Sequence, residues 1–187
     1  MFRPAMFVVG LAAVIGGCKM PTEEPPAQLE EIVSKEWKFK VKFPGKPESK
    51  THEAKQQIGT KTVQIKVVMF SKSFTNEAFM VGVTDIPSAF EPDPVETSIM
   101  LEKGRDGALA TSGASLVSSE SILLQGRYQG REILAKTQPP KGPADGVLKS
   151  RVYVVGKRVY QTIVAGTSAA IKEPRVAEFF DSFQVTD

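Results

Sequence analysis

One cysteine, Cys18, and one histidine, His52, are the sole residues of their kinds among 187. Chemistry that needs a thiol or an imidazole is therefore confined to two isolated points. A lone thiol is a nucleophile, an acylation site or half of an intermolecular disulfide, and a lone imidazole carries a proton near neutral pH or adds one ligand to a metal. A His/Cys metal cluster or a disulfide framework lacks material here. His52 sits in Lys50-Thr51-His52-Glu53, a polar extended stretch, where a solvent-facing side chain is expected. The chain has no Gly-x-x-x-x-Gly-Lys phosphate loop, Gly-x-Gly-x-x-Gly, Gly-x-Ser-x-Gly or Ser-x-x-Lys. Glu91, Asp93 and Glu96 gather three acids at one helix start. Capping and the helix dipole account for them, and a calcium loop would need alternating Asp or Asn ligands around a central Gly. Paired carboxylates of the glycosidase kind are invisible to sequence order. These residues predict no catalytic site, no metal and no cofactor.

Cys18 has a specific context. The first 17 residues hold one cation, Arg3, then thirteen apolar or small residues from Ala5 to Gly17, and no acid. That is a signal-peptide layout, too short for a membrane-spanning helix of about 20 residues. Ile15-Gly16-Gly17-Cys18 resembles the bacterial lipobox, which implies diacylation of Cys18, cleavage before it and a lipid-anchored, extracytoplasmic protein. Two acyl chains hold a protein on a bilayer where one is marginal. Lys19 is not the Asp tied to inner-membrane retention, so the same resemblance points to the outer membrane where one exists. The alternative is an ordinary secretory peptide with Cys18 incidental.

Those features require a tether and a body. Residues 18–34 are rich in Pro and Glu and read as a solvated tether, with Gln28 to Val33 able to add a helical turn; residues 35–187 read as one domain. Hydrophobic residues make up 41% and charged residues 24%, which excludes a disordered or polytopic membrane chain. The formal charge is +3, or +2 once Arg3 leaves with the signal, too balanced for a nucleic-acid partner.

Within the domain, Trp37, Phe39, Val41 and Phe43 alternate with Lys38, Lys40 and Lys42, as do Val63, Ile65 and Val67 and then Phe79, Val81 and Val83 with their neighbours. Short turns between them call for antiparallel pairing. Asp93, Pro94 and Glu96 open a helix to about Thr111, with Met100, Leu101, Gly104 and Ala108 as its apolar stripe and Gly113 as its stop. Gly104 and Gly107 weaken that helix, and close packing on a sheet is the expected reason. Leu116–Leu124, Arg127–Lys136, Val147–Val155 and Arg158–Ala165 read as two hairpins, and Pro174 opens a second helix with Val176, Phe179, Phe180 and Phe183 on one face.

The opening strand with Phe43-Pro44-Gly45-Lys46-Pro47, the hairpin Val152–Thr167 and the closing Glu178-Phe179-Phe180-Asp181-Ser182-Phe183-Gln184-Val185 together resemble the PsbP-like fold. That group includes the extrinsic PsbP protein of photosystem II and many bacterial lipoproteins. The resemblance implies an α+β domain, an antiparallel sheet of about six to eight strands flanked by two helices in an α/β/α arrangement, and an adaptor or accessory role toward a protein partner through the sheet face or loops. No partner-binding residue of the group has a match here. Lys38, Lys40 and Lys42 with Arg127, Arg131, Arg151, Lys157 and Arg158 would suit anionic headgroups or an acidic partner if clustered, and otherwise guard strand edges. Phe74, Phe79, Phe90, Tyr128 and Tyr153 are expected mostly in the core, and an exposed Tyr would be a contact residue. Two other functions stay open: a carrier of a small apolar ligand, needing a cavity of about 300 Å³ or more, and an enzyme working through carboxylates.

Overall fold

The computed structural model describes residues 28–58, 61–87, 93–137 and 144–186. In chain order the elements are β1 (Glu30–Ser34), β2 (Phe39–Phe43), β3 (Glu48–Ile58), β4 (Lys61–Ser73), β5 (Glu77–Asp85), α1 (Pro94–Ser112), β6 (Ser115–Leu124), β7 (Tyr128–Lys136), β8 (Gly146–Val155), β9 (Arg158–Thr167), α2 (Pro174–Ser182) and β10 (Gln184–Val185). Seven strands form one antiparallel sheet in the order β3-β4-β5-β9-β8-β7-β6, and β1-β2-β10 form a second, three-stranded one. The fold is the expected α+β class.

Adjacent residues of a strand face opposite sides, and β8 shows what lies on each. Arg151 reaches Asp181 of α2 at 2.8 Å, while its neighbour Val152 lies under α1 with Val154 and Val159. The small sheet and α2 thus cover one face of the large sheet and α1 the other. Alternation in β2 buries Phe39, Val41 and Phe43 inward. The α2 stripe does the same with Val176, Phe179 and Phe180, and Phe183 just beyond the helix completes it.

Phe183 is the hub of this layer, with ring centroids 5.8 Å from Phe39, 5.7 Å from Tyr160 and 5.9 Å from Tyr153, the last nearly parallel at 2°. Each such aromatic pair adds about 0.5–1.5 kcal/mol beyond the area it buries. The Tyr160 hydroxyl donates to the buried carbonyl of Trp37 at 3.0 Å and so ties the two sheets together.

Helix α1 begins as expected. Asp93 Oδ1 accepts from the amides of Val95 and Glu96, both at 2.8 Å, and Glu96 accepts from the Asp93 amide at 3.2 Å. Gly113 ends the helix at φ 66°. Its stripe of Met100, Leu101, Gly104 and Ala108 rests on Ile133, Val152, Val154 and Val159. Gly104 is not there for close packing, however: a Cβ placed on it meets nothing within 4 Å.

Other boundaries differ from the expectation. The folded body begins before residue 35, because Glu30–Ser34 is a strand and neither tether nor helical turn; it pairs with β2, Ile32 opposite Val41. Five residues with only one side chain packed on the core carry too little periodicity to announce a strand, and the β2 backbone decides it. Lys38 does not share a face with Lys40 and Lys42, since it precedes β2 at φ 50°. β7 starts one residue late because the β6–β7 turn takes three residues, Gln125 to Arg127, with positive φ at Gln125 and Gly126. Phe90-Glu91-Pro92, Gly59-Thr60 and Pro139–Pro143 lie outside the described residues.

Candidate functional site

Cys18 and the leader 1–17 also lie outside the described residues. His52 is exposed on β3, at the edge of the large sheet. Glu91 is not described, and Asp93 and Glu96 are spent on the capping box.

The basic residues do not merge into one patch. Lys40 pairs with Glu31 at 3.7 Å and Lys42 with Glu178 at 2.7 Å on the outer face of the small sheet. Arg158 holds Asp85 at 2.5 Å and covers the Trp37 ring, and Arg127 lies over Tyr128. Arg151 bridges Glu132 at 2.6 Å and Asp181 at 2.8 Å, packing on Phe180. None of Tyr128, Tyr153 and Tyr160 is fully exposed.

Two acids stand out by burial. Glu77, at the start of β5, is almost fully buried; its Oε1 accepts from Arg175 at 2.7 and 3.0 Å, and its Oε2 has no partner. Burial pushes its carboxyl above the ordinary range, and Arg175 offsets this only in part. Glu132 on β7 has both oxygens engaged, by Lys149 at 3.2 Å and Arg151 at 2.6 Å. Burial raises it too, but the two cations outweigh burial and hold it below the usual carboxylate range. Both acids hold layers together: Arg175 belongs to α2, and Arg151 reaches Asp181 of α2.

An open surface lies on the α1 side. Ser98 and Leu101 of α1 and Ser121, Leu123, Gln129 and Arg131 of the β6–β7 hairpin line a cleft of about 280 Å³. In β6 and β7, Leu123 opposes Gln129 and Ser121 opposes Arg131, so these four share the face toward α1. Arg131 donates to Glu102 and to Ser119, each at 3.2 Å, while its Nε and the side-chain Oε1 of Gln129 are buried without partners.

Large aliphatic residues of α1 and β6 face solvent: Leu123, at the cleft, is 61% exposed, Val95 is 68% exposed, and Ile99, Leu116 and Val117 are exposed as well. β6 is also the sheet's free edge. The exposure of this edge is not legible locally, because Leu116–Leu124 reads as a strand with apolar residues on both faces, and nothing nearby says that one side of it stays unpaired.

The cleft is smaller than a lipid carrier requires and opens to solvent. Neither it nor the void of about 40 Å³ beneath Gly104 is lined by a carboxylate.

No family model matches the chain, and no curated protein matches it. Among solved structures, the solution structure of cyanobacterial PsbP (CyanoP) from Synechocystis sp. PCC 6803 superposes with a TM-score of 0.55 over 91% of this chain and 98% of that one. The fold is PsbP-like. Sequence identity in that superposition is 12%, so the likeness concerns the fold alone. A Pseudomonas aeruginosa protein of unknown function aligns over 67% of this chain and 90% of its own, with 14% identity and a TM-score of 0.40. The PsbP-like body places Phe39, Tyr153 and Phe183, which belong to the segments quoted for the resemblance, in one packed aromatic layer. The cleft lies on the other side of the sheet.

Proposed function

We propose that this protein is a non-catalytic adaptor or accessory factor, anchored by lipid at Cys18 on the outer side of a cell membrane, which binds a protein partner through the α1–β6 face. The observation that carries the reading is the solvent exposure of the aliphatic residues Leu116, Val117 and Leu123 on an unpaired sheet edge, with Val95 and Ile99 also exposed on α1. Large aliphatic side chains left in solvent along a free strand edge suit contact with another chain. The anchoring part rests on Ile15-Gly16-Gly17-Cys18 and the apolar leader before it. No helix among the described residues is long and apolar enough to cross a membrane.

Crosslinking in intact cells followed by mass spectrometry tests the partner, with reproducible crosslinks from α1 and β6 to one neighbouring protein as the expected result. Recovery of no reproducible neighbour overturns it. Fractionation tests the anchor: Cys18→Ser should move the protein from the membrane to the soluble fraction, and an unchanged distribution defeats the lipid attachment.

A further inference from the structure

The two edges of the large sheet are guarded unequally. β3 carries Glu48, Lys50 and Glu53 within its first six residues, whereas β6 has one charged residue, Glu120, in ten. Charged side chains along an edge deter a second strand from its free N–H and C=O groups, and a long edge without them invites pairing. A register slip between Leu116 and Ser118 ends the regular part of β6, leaving Ser118 to Leu124 as an ordinary ladder.

The side chains of that ladder point to two different surroundings. Ser119, Ser121 and Leu123 face α1 and the cleft. Glu120 faces the other way, directly across from Glu132, whose charge is already met by Lys149 and Arg151. Among the described residues no cation pairs with Glu120.

We infer that β6 takes an extended segment of a protein partner as an additional strand, with a Lys or Arg of that segment against Glu120 and aliphatic side chains on its other face against Leu123 and the α1 cleft. Main-chain hydrogen bonds supply affinity in this mode, and alternate side chains supply selectivity. Because side chains alternate, the aliphatic positions lie one and three residues from the basic one. A second copy of this chain is the poorer occupant. Its own β6 carries no Lys or Arg, so no register of strand on strand sets a cation against Glu120. This inference rests on the adaptor reading and names the chemistry of the partner.

The test uses the full chain and a phage-displayed library of random dodecapeptides. Selected peptides should carry Lys or Arg one and three residues from aliphatic ones, and in hydrogen exchange they should protect the amides of β6. Glu120→Lys should weaken the best peptide about fivefold or more, since it turns a cross-strand attraction into a repulsion. The same variant, used as bait, should select Asp or Glu at the matching position. Leu123→Asp should abolish binding. Both positions are exposed, and an unchanged circular dichroism melt confirms that both variants fold. The inference is overturned if no peptide is selected, if binding ignores both substitutions, if protection falls outside β6, or if sedimentation shows a dimer that protects β6 without peptide. Peptide pairing at β6 without any crosslinked neighbour in cells would instead defeat the adaptor reading alone.

Discussion

The ring of Tyr153 lies in the space that a side chain on Gly130 would need. The two residues are directly opposed in neighbouring strands, and a Cβ built on Gly130 would collide with Cδ1 of that ring and stand 2.6 Å from the carbonyl oxygen of Val152. The ring is held from its other side by Phe183, stacked 5.9 Å away. Gly130 is thus required by packing and not by backbone conformation. Gly130→Ala should lower stability by about 2–3 kcal/mol, as overpacking of a filled core does. Urea denaturation checks this, and a midpoint within experimental error of the parent would mean that the ring swings aside at no cost.

Gly104 is the opposite case. It is a helix-interior glycine with open space where its Cβ would stand. Gly104→Ala should raise stability by about 1 kcal/mol through helix propensity and a less flexible unfolded chain. That corresponds to a few degrees in a domain of this size. A thermal melt showing destabilisation would mean that α1 sits closer to the sheet than this packing implies.

The Glu77–Arg175 pair gives a pH signature. Arg175→Ala leaves a buried carboxylate without its partner and should cost about 3–5 kcal/mol at neutral pH. Glu77 already binds its proton more tightly folded than unfolded, and without Arg175 it does so further. Stability contributed by a raised carboxyl is full below the unfolded value and lost as pH rises through the folded one. The variant should therefore recover stability as the pH is lowered, relative to the parent. Denaturation midpoints at pH 7 and pH 5 check the sign, and equal deficits at both would exclude the linkage.

Glu132 runs the other way. Its carboxyl is held low by Arg151 and Lys149 once burial has been overcome. Its contribution is therefore present above the unfolded value and disappears as pH falls through the folded one. Glu132→Gln should be less stable than the parent at neutral pH, with the gap closing on acidification. A pH series of chemical denaturation shows this directly, and a gap that widens in acid would contradict it.

Local pattern was enough for much of this molecule. The α1 start at Asp93, its stop at Gly113, the two hairpins and the Val176-Phe179-Phe180-Phe183 stripe are each written within a few residues, because caps, turns and amphipathic periods are short-range physics. The likeness of Ile15-Gly16-Gly17-Cys18 to a lipobox is likewise a matter of adjacent residues. Tertiary structure alone decided that Glu30–Ser34 is a strand, that Arg131, Arg151 and Arg158 are spent on partners distant in sequence, and that β6 is an edge. Each of these depends on what stands across a strand or helix many residues away. A strand with apolar residues on both faces reads the same whether it has two neighbours or one, and only the assembled sheet makes β6 an edge.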